Sequence, residues 1–386
     1  MSVPRRTLLI GAAVCVLACA ALFVFRIRKE MVDFSVNYAA GDRLLHGETL
    51  YRVTDEHFQF KYSPFCAILY IPPALLPLTA AKAVWFAGVI LASFALFRLT
   101  GRLLSGLDGR ISRGAVLVAG LILAKFLLRE IQLGQINAIL TAILMLMVAR
   151  LVPKPAAGAS HRDQAAGLLW GVASALKPYA LIFLPYFILK RRWNVLWPAL
   201  LVLGSSLIAP SLYYGFAGNL TVHEEWISSL SRSTPGLLNS QDNVSLLAML
   251  VKWTGDRILS QPVYAVIVLL LAVLVFLFIR RGRDYPNHVI PEAALLLLLI
   301  PLISPLGWDY TFISAFLAVA LILHRFPDFP FAGRVFLGLN FGIIALSIYD
   351  LMGRKAYAAF MAASVPTLNF VILAGALCFL RWARKT

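Results

Sequence analysis

The sequence predicts an all-α polytopic membrane protein of about twelve spans, and three observations carry that prediction. Of the 386 residues, 60% are hydrophobic and only 14% charged, with a mean hydropathy of +0.81; a soluble domain lies nearer half apolar and a quarter charged. Apolar runs of membrane-spanning length recur along the whole chain. The net charge of +17 is concentrated in short loops between those runs, where Lys and Arg set topology and touch anionic lipid. In a soluble chain such a charge would point to nucleic acid; here membrane lipids are the expected partner and nucleic acid is not.

Residues 1–386 are expected to form a single integral membrane domain. The first apolar run, Thr7–Phe25, follows Arg5 and Arg6 like the core of a signal peptide. Its small-x-small triplet Ala18-Cys19-Ala20 lies inside the run rather than after it, so an uncleaved first span is expected. The loop 26–81 follows and is the longest polar interruption near the start. In it, a short helix beginning at Asp33 puts Asn37 and Gly41 on one face and Phe34 and Tyr38 on another, a pattern that suits a helix lying along a membrane surface. His46-Gly47 and Tyr62-Ser63-Pro64 read as turns. Phe65–Leu78 is broken by Pro72, Pro73 and Pro77 and reads as a partial or re-entrant segment. Further spans fall near 82–99, 114–129, 136–152, 164–177, 179–190, 195–215, 261–280, 290–304, 309–324, 332–351 and 360–381, with a second outer loop region at 216–260. Cys15, Cys19, Cys66 and Cys378 lie mostly in apolar runs without metal-site spacing and indicate no redox chemistry.

With both termini inside a plasma membrane, the inner loops hold Arg98, Arg102, Arg110 and Arg113; Arg150, Lys154 and Arg162; Lys190, Arg191 and Arg192; Arg280, Arg281 and Arg283; Arg325; and the tail Arg381, Arg384 and Lys385. The outer loops are poorer in Lys and Arg except the first, and long loops obey the positive-inside rule weakly. Five segments too polar or turn-rich for plain connectors then fall on the outer side: the Asp33 loop, 129–137, 176–179, 223–245 and 304–310. A functional site facing the outer leaflet explains that division.

Several residues in these segments have site chemistry. Asp33 suits a general base, which needs placement and partial desolvation, although an acid there also serves as a helix cap or interface charge. Lys177, at a span end before Pro178, suits a lipid phosphate; Arg129 and Lys61 are weaker candidates of the same kind. Gln135 and Asn137 bind sugar hydroxyls or cap a helix. His223, Glu224 and Glu225 beside Trp226 form either an acceptor surface or a solvated amphipathic face. Gln241, Asp242, Asn243 and Ser245 offer a cap or a sugar contact. Trp308 and Tyr310 suit an interfacial belt, while Asp309 at such a boundary costs free energy unless paired. Asn37, Tyr38, Tyr62, Gln135, Asn137, Asn243, Trp308 and Asp309 are thus the candidate substrate contacts. No Asp-x-Asp pair in the first outer loop, HExxH, EF-hand or Gly-rich phosphate loop occurs in the sequence, so neither a metal nor another cofactor is expected and a lipid-linked donor is implied.

The order of motifs resembles a known family. Asp33, Phe34, Tyr38, Ala40, Leu44, Gly47, Leu50 and Tyr51 are followed by Phe60–Pro64 (FKYSP), Gly134–Asn137 (GQIN), Leu176–Pro178 (LKP), Arg191–Trp193 (RRW), Asn243–Ser245 (NVS) and Ser304–Trp308 (SPLGW). This ordered set, over about residues 30–325, is similar to glycosyltransferase family 87, which includes mycobacterial mannosyltransferases that use polyprenyl-phosphate mannose. The resemblance implies a GT-C-type membrane fold with amphipathic outer-face helices and an extracytoplasmic site. It also implies an inverting, metal-independent transfer from a polyprenyl-phosphate sugar to a hydroxyl of a glycolipid or glycan, with Asp33 as base. Mannose is the expected sugar and arabinofuranose the alternative. The family often has histidine just after the SPxxW tryptophan; here Asp309 and Tyr310 stand there, which shifts the expected phosphate contact towards Lys177. The rival class is a secondary transporter or lipid flippase; a non-catalytic role in envelope assembly is a third reading. No internal repeat is visible, and the polar residues gather at one surface.

Overall fold

The computed structural model describes residues 5–109, 112–153, 159–282 and 287–383; Arg110, Lys154, Arg283, Arg384 and Lys385 of the expected inner-side charges lie outside them. The described residues form helices and turns. In chain order the helices are α1 (Arg5–Phe25), α2 (Val32–Leu45), α3 (Pro64–Ala74), α4 (Leu78–Asp108), α5 (Arg113–Ile122), α6 (Ala124–Leu133), α7 (Asn137–Leu151), α8 (Ala159–Leu176), α9 (Leu184–Leu189), α10 (Trp193–Ile208), α11 (Ser211–Leu237), α12 (Leu246–Thr254), α13 (Arg257–Arg281), α14 (Val289–Ile303), α15 (Phe316–His324), α16 (Phe331–Leu346), α17 (Tyr349–Ala362) and α18 (Val365–Trp382). Tighter 3-10 turns at Pro178–Phe183 and Asp309–Ala315 lead into α9 and α15.

Each apolar run expected to span is helical, but the spans are less uniform than the hydropathy suggests. Among the described residues, α4, α13 and α18 are long and apolar enough to cross a membrane alone. Two further pairs are long and apolar enough only when taken together, each bent sharply at a short break: α10 with α11 at 84° and α16 with α17 at 102°. Helices such as α7 and α14 have 15 residues, a rise of roughly 22 Å against a hydrocarbon core of about 30 Å. The physical reason is visible at α14. Every residue from Val289 to Leu302 except Pro291 is buried; a helix apolar all round belongs inside the protein and need not match the lipid thickness. With α15, likewise buried from Phe316 to Ile322, it forms the central pillar.

The structure adds detail to three expectations. The region 216–260 is largely helical: α11 runs through it to Leu237, bent where Gly215 takes φ +65°, and α12 follows. The segment expected as one span over 332–351 ends at Leu346, and the chain turns into the further amphipathic helix α17. Finally, α2 exists as expected but does not present its polar face to the membrane surface. Asn37 and Gly41 are buried, because α2 packs on α3 so closely that a Cβ on Gly41 would lie 2.5 Å from the Tyr70 carbonyl. The absent side chain is what lets the two backbones meet.

Candidate functional site

A cavity of about 990 Å³ lies where the five unusual segments converge. The first loop contributes Asp33, Asn37, Lys61 and Tyr62; the α6–α7 turn contributes Arg129 and Gln135; the end of α8 contributes Lys177; the α11–α12 region contributes Leu230, Leu237 and Asp242; the turn after α14 contributes Ser304, Pro305 and Trp308. Ile182, Ile300, Ile303 and Leu306 add apolar wall. The volume is at the upper end of small-molecule sites.

Local sequence rules place the polar groups. Met31, with φ +61°, donates its N–H to the Gln132 carbonyl at 2.8 Å, fixing the start of α2 against α6. Asp33 then sits in the first turn of α2, the favourable end of the helix dipole for an acid. Gly134, with φ +71°, ends α6: its N–H reaches the Ile131 carbonyl and that of Gln135 reaches Glu130, the paired bonds of a Schellman motif. That reversal turns the Gln135 side chain into the cavity. Pro178 forbids helical geometry at the preceding residue, so Lys177 is extended (φ −139°, ψ 113°) and α8 stops at Leu176. Ser63, just before Pro64 opens α3, donates its hydroxyl to the Ala175 carbonyl at 3.0 Å and ties the first loop to the end of α8.

The polar groups form two linked chains. Gln135 Nε2 donates to Asp33 Oδ2 at 2.5 Å and to the Tyr310 hydroxyl at 3.2 Å, while the Tyr62 hydroxyl donates to Gln135 Oε1 at 3.0 Å. The described residues place no hydrogen bond on Asp33 Oδ1, leaving it to take a proton from a hydroxyl in the cavity. Burial raises the Asp33 carboxyl above its ordinary range, against the pull of the Gln135 hydrogen bond and of Lys177, Arg129 and Lys61. Burial lowers the Lys61 ammonium, and Asp33 opposes that shift. In the second chain, Lys177 Nζ donates to Asn137 Oδ1 at 2.8 Å and stands 4.9 Å from the Tyr62 ring centre. The Tyr179 hydroxyl donates to the same oxygen at 3.2 Å. Asn137 Nδ2 donates to Glu130 Oε2 at 2.8 Å.

Not every candidate faces the cavity. Asp33, Asn37, Lys61, Tyr62, Arg129, Gln135, Lys177 and Trp308 do; Tyr38, Asn137, Asn243 and Asp309 do not. The Tyr38 hydroxyl points to the Leu76 carbonyl at 2.8 Å. Asn137 lies behind Lys177. Asn243 is buried, and its amide is fully used: Oδ1 accepts from Ser245 and Gly307 N–H, and Nδ2 donates to the Pro305 and Leu237 carbonyls. The NVS and SPLGW motifs are thus zipped together, with an antiparallel bridge at Asn243 and Trp308. Asp309 and Asp242 both hold Arg129, at 3.2 and 2.6 Å, so this guanidinium braces two loops and its charge is already compensated. Gln241, His223, Glu224 and Glu225 stand off the cavity, and Trp226 donates to the Lys61 carbonyl at 3.1 Å. Glu130 and Tyr179 are not among the residues the sequence singles out, and Tyr310, read there as an interfacial tyrosine, lines the cavity. Nothing local singles out Glu130, because α6 also carries Lys125, Arg129 and Gln132; only its burial shows that this acid needs partners.

Residues 60–305 match the family model for Glycosyltransferase family 87. A polyprenol-phosphate-mannose-dependent alpha-(1-2)-phosphatidylinositol pentamannoside mannosyltransferase of Mycolicibacterium smegmatis is 26% identical over 351 residues, covering 85% of this chain and 77% of the relative. Crystal structures of ArnT from Cupriavidus metallidurans, in the apo state and bound to undecaprenyl phosphate, each cover 96% of this chain and 77% of their own. Their TM-scores are 0.41 and 0.40, with 13% and 12% identity.

Proposed function

Because the chain belongs to glycosyltransferase family 87, we propose that it transfers mannose from a polyprenyl-phosphate donor to a hydroxyl of a glycolipid or glycan acceptor. The site faces the extracytoplasmic side of the plasma membrane, and Asp33 is the general base. Family membership makes the protein a membrane glycosyltransferase and replaces the transporter and assembly readings; donor, acceptor, sidedness and mechanism are the proposal. The mycobacterial relative's name supports the choice of donor and sugar. The observation that carries the mechanism is that Asp33 and Lys177 line one cavity whose wall is otherwise largely apolar.

The donor's first isoprenes lie along Ile182, Ile300, Ile303 and Leu306, with the phosphate beside Lys177 and Lys61. The acceptor hydroxyl approaches Asp33. As its oxygen bonds to the anomeric carbon, the carbon–phosphate oxygen bond breaks, the hydroxyl proton passes to Asp33 Oδ1 and the electron pair leaves on the phosphate. In-line displacement inverts the anomeric centre. The departing charge is stabilised by fixed ammonium groups in a partly water-excluded cavity, so no metal takes part.

The test is transfer by purified protein in lipid. Polyprenyl-phosphate mannose should give product and a nucleotide-linked mannose none, EDTA should leave the rate unchanged, and Asp33→Asn should lose about 10²–10⁴-fold, the worth of a general base. Product from the arabinofuranosyl donor alone would change the sugar; a fully active Asp33→Asn would remove the base.

A further inference from the structure

Lys177 does not stand alone at the cavity wall. Its Nζ is 2.8 Å from Asn137 Oδ1, and an amide oxygen holds an ammonium only if the amide is the right way round. Rotated by half a turn, Asn137 would present its NH₂ to Lys177, donor against donor. The orientation is set from behind by Glu130, a side chain with no exposed surface. One Glu130 oxygen accepts from Asn137 Nδ2 at 2.8 Å and the other from the Ala138 N–H at 2.8 Å. A carboxylate has only acceptors, so both contacts require the donors that they meet.

We propose that Glu130 is a positioning residue for the transfer: it locks the Asn137 amide, and through it holds the Lys177 ammonium where the donor phosphate binds and leaves. This rests on the role given to Lys177 above. A bare structural role is the competing account, since the Ala138 contact alone caps the first turn of α7. The two differ in what happens to the donor. A cap affects stability; a positioning group affects donor affinity and rate, and only through Lys177.

Neutral Glu130→Gln must offer an NH₂ to one of two donors, so it disturbs the arrangement without changing volume. Glu130→Asp keeps the charge and both acceptors on a shorter stem. The experiment compares purified wild type, Glu130→Gln, Glu130→Asp, Lys177→Met and the double variant Glu130→Gln/Lys177→Met in lipid, recording thermal unfolding together with KM for the polyprenyl-phosphate sugar and kcat. The expected result is that Lys177→Met and Glu130→Gln each raise donor KM about tenfold or more, that the double variant is no worse than Lys177→Met, and that Glu130→Asp recovers part of the loss. Groups that act as one unit show that non-additivity. Independent, multiplying losses would overturn the proposal, as would a Glu130→Gln variant with lowered unfolding temperature but wild-type kinetics. If Lys177→Met leaves donor KM unchanged, the phosphate role of Lys177 fails, and the positioning role of Glu130 fails with it.

Discussion

Asp33 carries opposing influences. Burial lifts its carboxyl above the ordinary aspartate range, and Gln135 and three cations pull it back. A base works only when ionised, so kcat/KM should fall as pH drops through the Asp33 pKa, with the acid limb above the model-peptide value of about 3.9. Lys177→Met removes a cation that favours the ionised form and should move the limb to higher pH. A limb unmoved by that change, or below the model-peptide value, would contradict the assignment. Asn243 teaches the opposite lesson. Its amide is spent on backbone, so Asn243→Ala should destabilise the fold by about 1–3 kcal/mol, the cost of leaving buried groups unpaired, with donor KM in the surviving protein close to wild type. Thermal unfolding beside kinetics checks both halves. The sequence singles out Asp33, Gln135 and Lys177 because helix ends and turns are local signals, and all three line one cavity. For Asn243 the sequence left a cap or a sugar contact open, and for Asp309 a pairing, because an Asn or Asp in a polar loop looks the same whether it meets a sugar, a backbone amide or a guanidinium; the tertiary partners are backbone for Asn243 and Arg129 for Asp309.

At the scale of elements, the site depends on two close approaches. Gly41 admits the Tyr70 backbone, so Gly41→Val should force α2 from α3. Overpacking of that kind costs about 1–3 kcal/mol, and transfer should fall further than stability because Asp33 rides on α2. A variant with normal activity and normal unfolding temperature would show that α2 need not sit against α3. Pro178, by ending α8 before Lys177, acts likewise on the second chain. Helix existence and order were legible from apolar runs, and the chain breaks from Gly and Pro. Span length was not legible, because a run such as the Leu stretch of α14 reads alike whether lipid or protein surrounds it.

At the scale of the molecule, segments far apart in sequence share one cavity, and the proposal places that cavity on the outer side. Topology carries that claim. In a variant lacking native cysteines, Gln241→Cys should react with a membrane-impermeant maleimide in intact cells, and Arg191→Cys only after permeabilisation; both native side chains are exposed. The reverse pattern would turn the site to the inner leaflet and exclude an extracytoplasmic transfer.

The most direct measurement compares lipids and glycans by mass spectrometry from three membranes: gene deleted, restored with wild type, and restored with Asp33→Asn at equal protein level. The account predicts a hexose mass increment on an acceptor with wild type alone. An increment from both restored strains would contradict Asp33 as the base, and no covalent difference among the three would contradict the transfer itself.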